Sequence, residues 1–299
     1  MLLNKKIPVK YILGKSKNDL IFIFSVCITI NTLIFLNPRI LPDIPVAIPA
    51  FLGTAISLIL SFKLNQAYDR WWEARKIWGA IVNDSRSLAL QINSFHNNND
   101  STKPIKYIQR QIAWCYALTA SLRKQDALEQ AKIHLSEFDC KEVEKHSNIP
   151  FAIMSLNAKE LALDLKKGEL DKFLHIQIDD SMVRLVASMG KAERIKNTVF
   201  PKTYSLFLHG LIYIFIIMLS ISVAEVSYLY EIVIVFVIAT PFVLLEKTAE
   251  HMQDPFENRP SDTAMTAICN TIEVNLKELI DQKKNITSFD PETASFYTL

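Results

Sequence analysis

Four stretches of this chain run for the length of a bilayer with almost no charge in them, and this constrains the fold more than any other feature. They are residues 20–38, 44–62, 203–224 and 226–245. Each holds about 19 to 22 residues, enough for an α-helix to cross roughly 30 Å of hydrocarbon. The first is free of charge, and the second is bounded by Asp43 and Lys63. The third carries no ionisable group of mid-range pKa except His209, and the fourth has Glu231 near its start. After Glu231 only about 14 uncharged residues remain, so that run fits either a full span or a buried, partly interfacial helix.

Lysine and arginine give the orientation. Lys5, Lys6, Lys10, Lys15 and Lys17 precede the first run. Lys63, Arg70, Arg75, Lys76 and Arg86 follow the second, and Arg194, Lys196 and Lys202 precede the third. The link after the first run carries only Arg39, and the link after the third carries Glu225, with Glu231 just beyond. The positive-inside rule then places both termini and the long middle region in the cytoplasm. No cleavable signal peptide is expected, because the first run lacks an A-x-A-like exit and Asn37-Pro38-Arg39 follows it.

Half of the 299 residues are apolar and 21% are charged. That is too apolar for a typical soluble enzyme and too charged for a chain lying wholly in lipid. Glycine is scarce, at 6 residues, which means few tight hairpins and points to an all-α chain. The net charge is +2, and no basic stripe interleaves with aromatics, so nucleic acid is not expected as a partner. Cys27, Cys115, Cys140 and Cys269 are far apart and form no CxxC or Cys/His set. They read as isolated thiols in packed helices, with no zinc, disulfide framework or cofactor indicated.

The middle region, about 63–200, reads as helices. From Lys63 to Phe95 there is no proline, and Leu64, Tyr68, Trp71, Arg75, Trp78, Val82 and Ser85 step by three or four as one helix face does. The second run is therefore expected to continue unbroken into the cytoplasm and to end at His96-Asn97-Asn98-Asn99-Asp100. A helix is expected over about 105–124, then a polar stretch, then helices from about 151 and about 169. Pro201 marks the return to the membrane.

Just past the second run lies Asn65-Gln66-Ala67-Tyr68-Asp69-Arg70-Trp71-Trp72-Glu73-Ala74-Arg75. A second block is Glu193-Arg194-Ile195-Lys196-Asn197-Thr198, with Pro201 and Tyr204, and a third is Asp254-Pro255-Phe256-Glu257. Their order around four apolar runs resembles the bestrophin family of ion channels over about residues 15–280. The family places Arg-Trp-Trp after its second span, here Arg70, Trp71 and Trp72 with Glu73, and Asn-Pro-Phe after its fourth, here with Pro255 and Phe256. The resemblance implies a single channel subunit over 1–299. This would be an all-α membrane protein with four transmembrane helices and a large helical cytoplasmic region (63–200 and 246–299), multi-pass in the cell inner membrane. Five copies would form a homopentameric ring around one axial pore for monovalent ions, bathed in membrane lipid.

The resemblance also places a narrow neck at Thr54, Leu58 and Phe62. Positions i, i+4 and i+8 lie close to one helix face, with Pro49 and Gly53 nearby to bend the helix or allow close approach. Rings of Leu and Phe offer an ion no substitute for its water and gate by dewetting. Aromatic rings present a positive edge or a negative face, so the sign of the permeant ion stays open between anion and cation. A second aperture falls at Phe173, with Ile176 one turn on. The family's calcium ligands follow Asn-Pro-Phe; here the stretch is Glu257-Asn258-Arg259-Pro260-Ser261-Asp262, and Arg259 stands where an acidic ligand would be. A calcium ion wants about six to eight oxygens, so no clasp is expected.

Plainer roles stand beside these. Trp71, Trp72 and Trp78 also suit packing or interfacial anchoring. Arg70 and Arg75 suit the bilayer surface or pairing with Glu73 and Asp69. His209 suits a hydrogen-bonded packing role or a proton relay. Asp179, Asp180, Glu246 and Glu250 would favour cations, and basic residues at the inner mouth would favour anions; anions such as chloride are the expectation, with a cation-selective channel of the same architecture as the alternative. Glu246, Glu250, His251 and Asp254 also allow a membrane metalloenzyme, although the Glu-x-x-His repeat of di-iron bundles is missing. No nucleophile–base pair or phosphate loop appears. The cytoplasmic helices alternatively suit a scaffold.

Overall fold

The computed structural model describes residues 8, 11, 14, 16–37, 41–95, 102–224, 228–280 and 297. Among them are the helices α1 (Lys17–Leu36), α2 (Ala47–Phe95), α3 (Thr102–Leu122), α4 (Ala127–Ala131), α5 (Glu137–Val143), α6 (Ile149–Lys166), α7 (Lys172–Asn197), α8 (Lys202–Ser222), α9 (Tyr228–Gln253) and α10 (Met265–Leu279). A 3₁₀ turn at Lys132–His134 joins α4 to the α5 region. No β-strand occurs among the described residues. The chain divides into two compact units, and α2 contributes to both.

One unit contains Asn4–Arg70 and Val199–Gln253, hence α1, the first part of α2, α8 and α9. All four are long and apolar enough to cross a membrane, including the fourth, whose run also suited an interfacial helix. Pro38, Val226 and Ser227, at the expected span edges, lie outside the described residues. The shared core holds Ile23, Cys27, Ile56, Leu60, Ile212, Phe215, Val235 and Val243. Only 22% to 33% of each span is buried within the chain, so most of the apolar surface is left for lipid or other copies. Pro49 sits in the first turn of α2, where its missing N–H costs nothing. Gly53 permits a close approach: a Cβ there would meet the Phe215 ring at 3.0 Å.

α2 is 49 residues long, about 70 Å of helix, so less than half of it fits in hydrocarbon. Its expected continuation past residue 62 is present, and the His96–Asp100 stop lies outside the described residues. The buried stripe is not the face picked out by the large residues. It runs through Ile56, Leu60, Lys63, Ala67, Ala74, Ile77, Ile81 and Ser85, while Tyr68 is exposed and only Trp78 and Ser85 of the expected face are buried. Ala67 and Ala74 let neighbouring helices come close, and the larger side chains one position round stay at the margin.

The other unit contains Trp71–Thr198 and the chain from Asp254. Its core is built on Trp78, Ile81, Leu88, Trp114, Leu118, Ile153, Leu185, Phe256 and Ile272. Asn148 caps α6 by accepting the Phe151 N–H, and Asp171 caps α7 by accepting the Phe173 N–H, so α7 starts a few residues later than expected. The expected polar stretch after α3 instead holds α4, the 3₁₀ turn and α5. Asp126 accepts from the N–H groups of Leu128 and Glu129, and Ser136 accepts from that of Asp139, so each short helix has its own N-cap. Gly168, at φ +73°, closes α6 in the left-handed region. Cys115 and Cys269 are buried free thiols, and burial pushes Cys269 up to about 12.

Candidate functional site

On α2, Thr54, Leu58 and Phe62 all fall on the side that the chain's own helices leave open. Leu58 is 61% exposed and Phe62 58% exposed, while Ile56 and Leu60 opposite them are buried. Thr54 is also exposed, and its hydroxyl donates to the Ala50 carbonyl at 2.9 Å, which occupies its proton while leaving the oxygen able to accept. The open line extends from Phe51 above to Asn65 and Asp69 below, passing from apolar to polar without changing face. Phe173 and Ile176 occupy the first turns of α7, also exposed, and Asp180 and Val183 continue that face. The two expected constrictions thus sit on open helix faces, one in each unit.

The three sequence blocks meet within the unit that begins at Trp71. The Trp71 indole N–H donates to the Ser261 carbonyl at 3.0 Å, and the Trp71 and Trp72 rings lie 6.2 Å apart. The Arg194 guanidinium donates to Glu73 at 2.8 Å, so the partner of Glu73 includes an arginine 121 positions away rather than only its helix neighbours. Glu193 accepts from the Asn148 side chain at 3.0 Å. The Lys196 ammonium, almost fully buried, lies 3.3 Å from Asp254 and 2.5 Å from Glu257 and holds the Glu257 carboxyl below its usual range. Trp71 therefore fastens block one to the loop after block three, Glu73 fastens it to block two, and Lys196 fastens block two to block three.

The loop after Asp254 is closed on itself. Pro255 and Phe256 are buried, and the Pro255 carbonyl accepts the Thr263 N–H at 3.1 Å. Asn258 turns the chain at φ +66°. The buried Asp262 carboxylate accepts the Arg259 backbone N–H at 3.0 Å and the Ser261 hydroxyl at 3.4 Å. Burial pushes Asp262 above its usual range, and the Arg259 N–H and guanidinium pull it part of the way back. Trp71, Glu73, Arg194, Lys196, Asp254 and Glu257 all stand in the three blocks, but their spacing does not give the pairings, and Asn148 lies outside the blocks. The Ser261 acceptor is a main-chain carbonyl, for which no side-chain signal exists.

The membrane-type unit holds a buried polar chain. Lys63 lies 3.5 Å from Glu246, whose second oxygen meets His209 Nδ1 at 2.8 Å. His209 Nε2 lies 3.6 Å from Asp19, and Asp19 accepts from the Tyr213 hydroxyl at 2.8 Å. His209 thus takes the hydrogen-bonded packing role. Further along the same helices Glu231 is fully buried and accepts from Asn31 and from Ser220. Ile212, Phe215, Ile216, Val235 and Ala239 lie between these polar levels in sequence and are buried and apolar. Glu246 is engaged by Lys63 and His209, and Glu250 by Lys247 at 3.1 Å. No group of three or more metal-ligating side chains converges among the described residues.

Comparison with known proteins fits this arrangement. Residues 12–278 match the sequence model of a family described as bacterial/fungal bestrophin protein. A relative from Escherichia coli K12, named voltage-dependent anion channel-forming protein YneE, is 32% identical over 234 residues, covering 78% of this chain and 76% of its own. A relative of the same description from Nostoc, alr2987, is 28% identical over 264 residues, covering 86% of each chain. In fold, the chain is similar to the crystal structure of a bacterial bestrophin homologue from Klebsiella pneumoniae, with a TM-score of 0.81 at 24% identity over 91% of this chain and 99% of that one. An all-helical chain with four membrane-length helices, the three signature blocks joined in one network, and a family match over nearly its whole length belongs to the bestrophin family.

Proposed function

We propose that this chain is one subunit of a homopentameric channel that conducts small monovalent anions such as chloride. It would lie in the cell inner membrane with both termini in the cytoplasm. The observation that carries the reading is the open apolar line through Leu58 and Phe62 on the first part of α2, a helix long and apolar enough to cross a bilayer, in a chain whose relatives are named for forming anion channels. Five such helices around an axis would bring Thr54, Leu58 and Phe62 into three stacked rings. The two apolar rings would form a short dry neck that passes an ion only when it wets. Phe173 and Ile176 would line a second aperture.

The charge balance favours anions. Asp180 pairs with Arg184, whose Nε donates to Asp84 at 2.8 Å. Glu246 and Glu250 are likewise held by bases. Glu246 and Glu250 are thus neutralised locally, and Asp180 is partly screened by an arginine that it shares with Asp84. Asp179 alone of the four is exposed without an ion pair among the described residues, and it is what favours a cation-selective pore of the same architecture. A calcium clasp is not supported, because Asp254 and Glu257 engage Lys196, and Asp262 is turned into its own loop.

Two measurements on purified protein test this. Detergent-corrected light scattering should give about five times the 34.1 kDa chain mass. Reconstituted vesicles should release chloride faster than empty ones. A monomer or dimer, or release no faster than from empty vesicles, overturns the proposal.

A further inference from the structure

At one end of the membrane-type unit, α2, α8 and α9 enclose an open cleft of about 460 Å³ that the conduction pathway does not use. Lys63, Lys202, His209, Glu246, Lys247 and Glu250 line it. Lys63 pairs with Glu246 and Lys247 with Glu250, and Asp19 lies 3.6 Å from His209, so Lys202 is the base of the wall that these carboxylates leave over. The Lys63 side chain is fully buried, and its contact to Glu246, at 3.5 Å, is long for a charge-assisted bond. Its ammonium therefore has donors to spare. Lys202 is exposed and makes no ion pair among the described residues.

The cleft lies where helix ends and charges gather: the first turn of α8, the last turns of α9, and the point on α2 where the apolar run stops. That is the level of phospholipid headgroups. An apolar track leads away from it along α8. Leu206, one turn beyond Lys202, also lines the cleft and is 74% exposed. Gly210 follows on the same side with open space where a side chain would stand, then Ile214 and Ile217, both exposed. A basic recess joined to a notched apolar helix face matches a molecule with a negative head and a hydrocarbon tail.

We propose that this cleft binds the phosphate of an anionic glycerophospholipid, with an acyl chain lying over Leu206, Gly210 and Ile217. The tail track selects lipid over a free phosphate ion. Lys202, exposed and without an ion pair among the described residues, selects an anionic headgroup over one whose own ammonium cancels its phosphate.

The test is the thermal midpoint of the full-length protein in detergent. It is measured with added dioleoylphosphatidylglycerol, dioleoylphosphatidylcholine or inorganic phosphate. Phosphatidylglycerol should raise the midpoint by several degrees, and the other two should leave it within a degree. Lys202→Ala removes an exposed, unpaired side chain, so the lipid-free midpoint should hold and the phosphatidylglycerol shift should fall by more than half. Lys202→Arg should keep the shift. Equal shifts with phosphatidylcholine, or an equal shift with inorganic phosphate alone, overturn the lipid assignment. A phosphatidylglycerol shift unchanged in both Lys202→Ala and Lys202→Glu overturns the site.

Discussion

Phe62 and Lys63 are consecutive, yet one side chain stands open and the other is buried against Glu246. The structure reverses what the sequence alone leads one to expect of a lysine and a phenylalanine. The reversal is what a neck position would produce: the ring awaits other copies, and the ammonium is drawn inward by a carboxylate 183 positions away. Truncation separates a neck role from a packing role. Phe62→Ala should assemble normally and carry a larger unitary current, because removing the ring lowers the cost of stripping water from the ion. Leu58→Ala should act in the same direction but less, and Thr54→Ala least. If Phe62 instead packs between helices, its loss costs about 3 to 5 kcal/mol and the yield of assembled protein falls with unitary current unchanged. The positions of these three residues followed from a resemblance. Their exposure did not, since periodicity says which residues share a face but not which face the chain's other helices cover.

Among the elements, the long apolar runs and the unbroken α2 were legible because their signals are local: length, absence of charge and absence of proline. α4 and α5 were not. At 5 and 7 residues they are too short for a periodic pattern, and packing of Ala131 and Val143 holds them in place. α5 is also fixed by a buried ion pair that no spacing could reveal. Arg110 on α3 donates to Asp139 through both Nε, at 3.0 Å, and a terminal nitrogen, at 2.6 Å, and both side chains are nearly inaccessible. Asp139→Ala leaves the buried Arg110 charge with only the longer contact to Glu160, at 3.6 Å, and should cost about 3 kcal/mol. Replacing both, with Arg110→Met and Asp139→Leu, should recover most of that loss. Urea midpoints of the solubilised protein decide it. A single substitution costing under about 1 kcal/mol would mean that the pair is effectively solvated.

For the whole molecule, the signature blocks do structural work that their spacing in sequence concealed. Trp71, Glu73, Arg194, Lys196, Asp254 and Ser261 form one set of bonds that closes the loop after the fourth span. The same bonds engage the carboxylates that a calcium ion would need, and the Arg259 cation stands among them. Currents should therefore persist when a chelator replaces micromolar calcium, and complete, reversible loss in chelator would contradict that. The sign of the permeant ion was the least legible property, because neutral neck rings favour neither charge. The proposed preference for anions rests on pairings such as Arg184 with Asp84 and Lys63 with Glu246, which join residues far apart in the chain. The reversal potential of purified protein in a planar bilayer under a KCl gradient measures it directly. It should lie close to the chloride equilibrium potential; a reversal close to the potassium potential would contradict an anion channel.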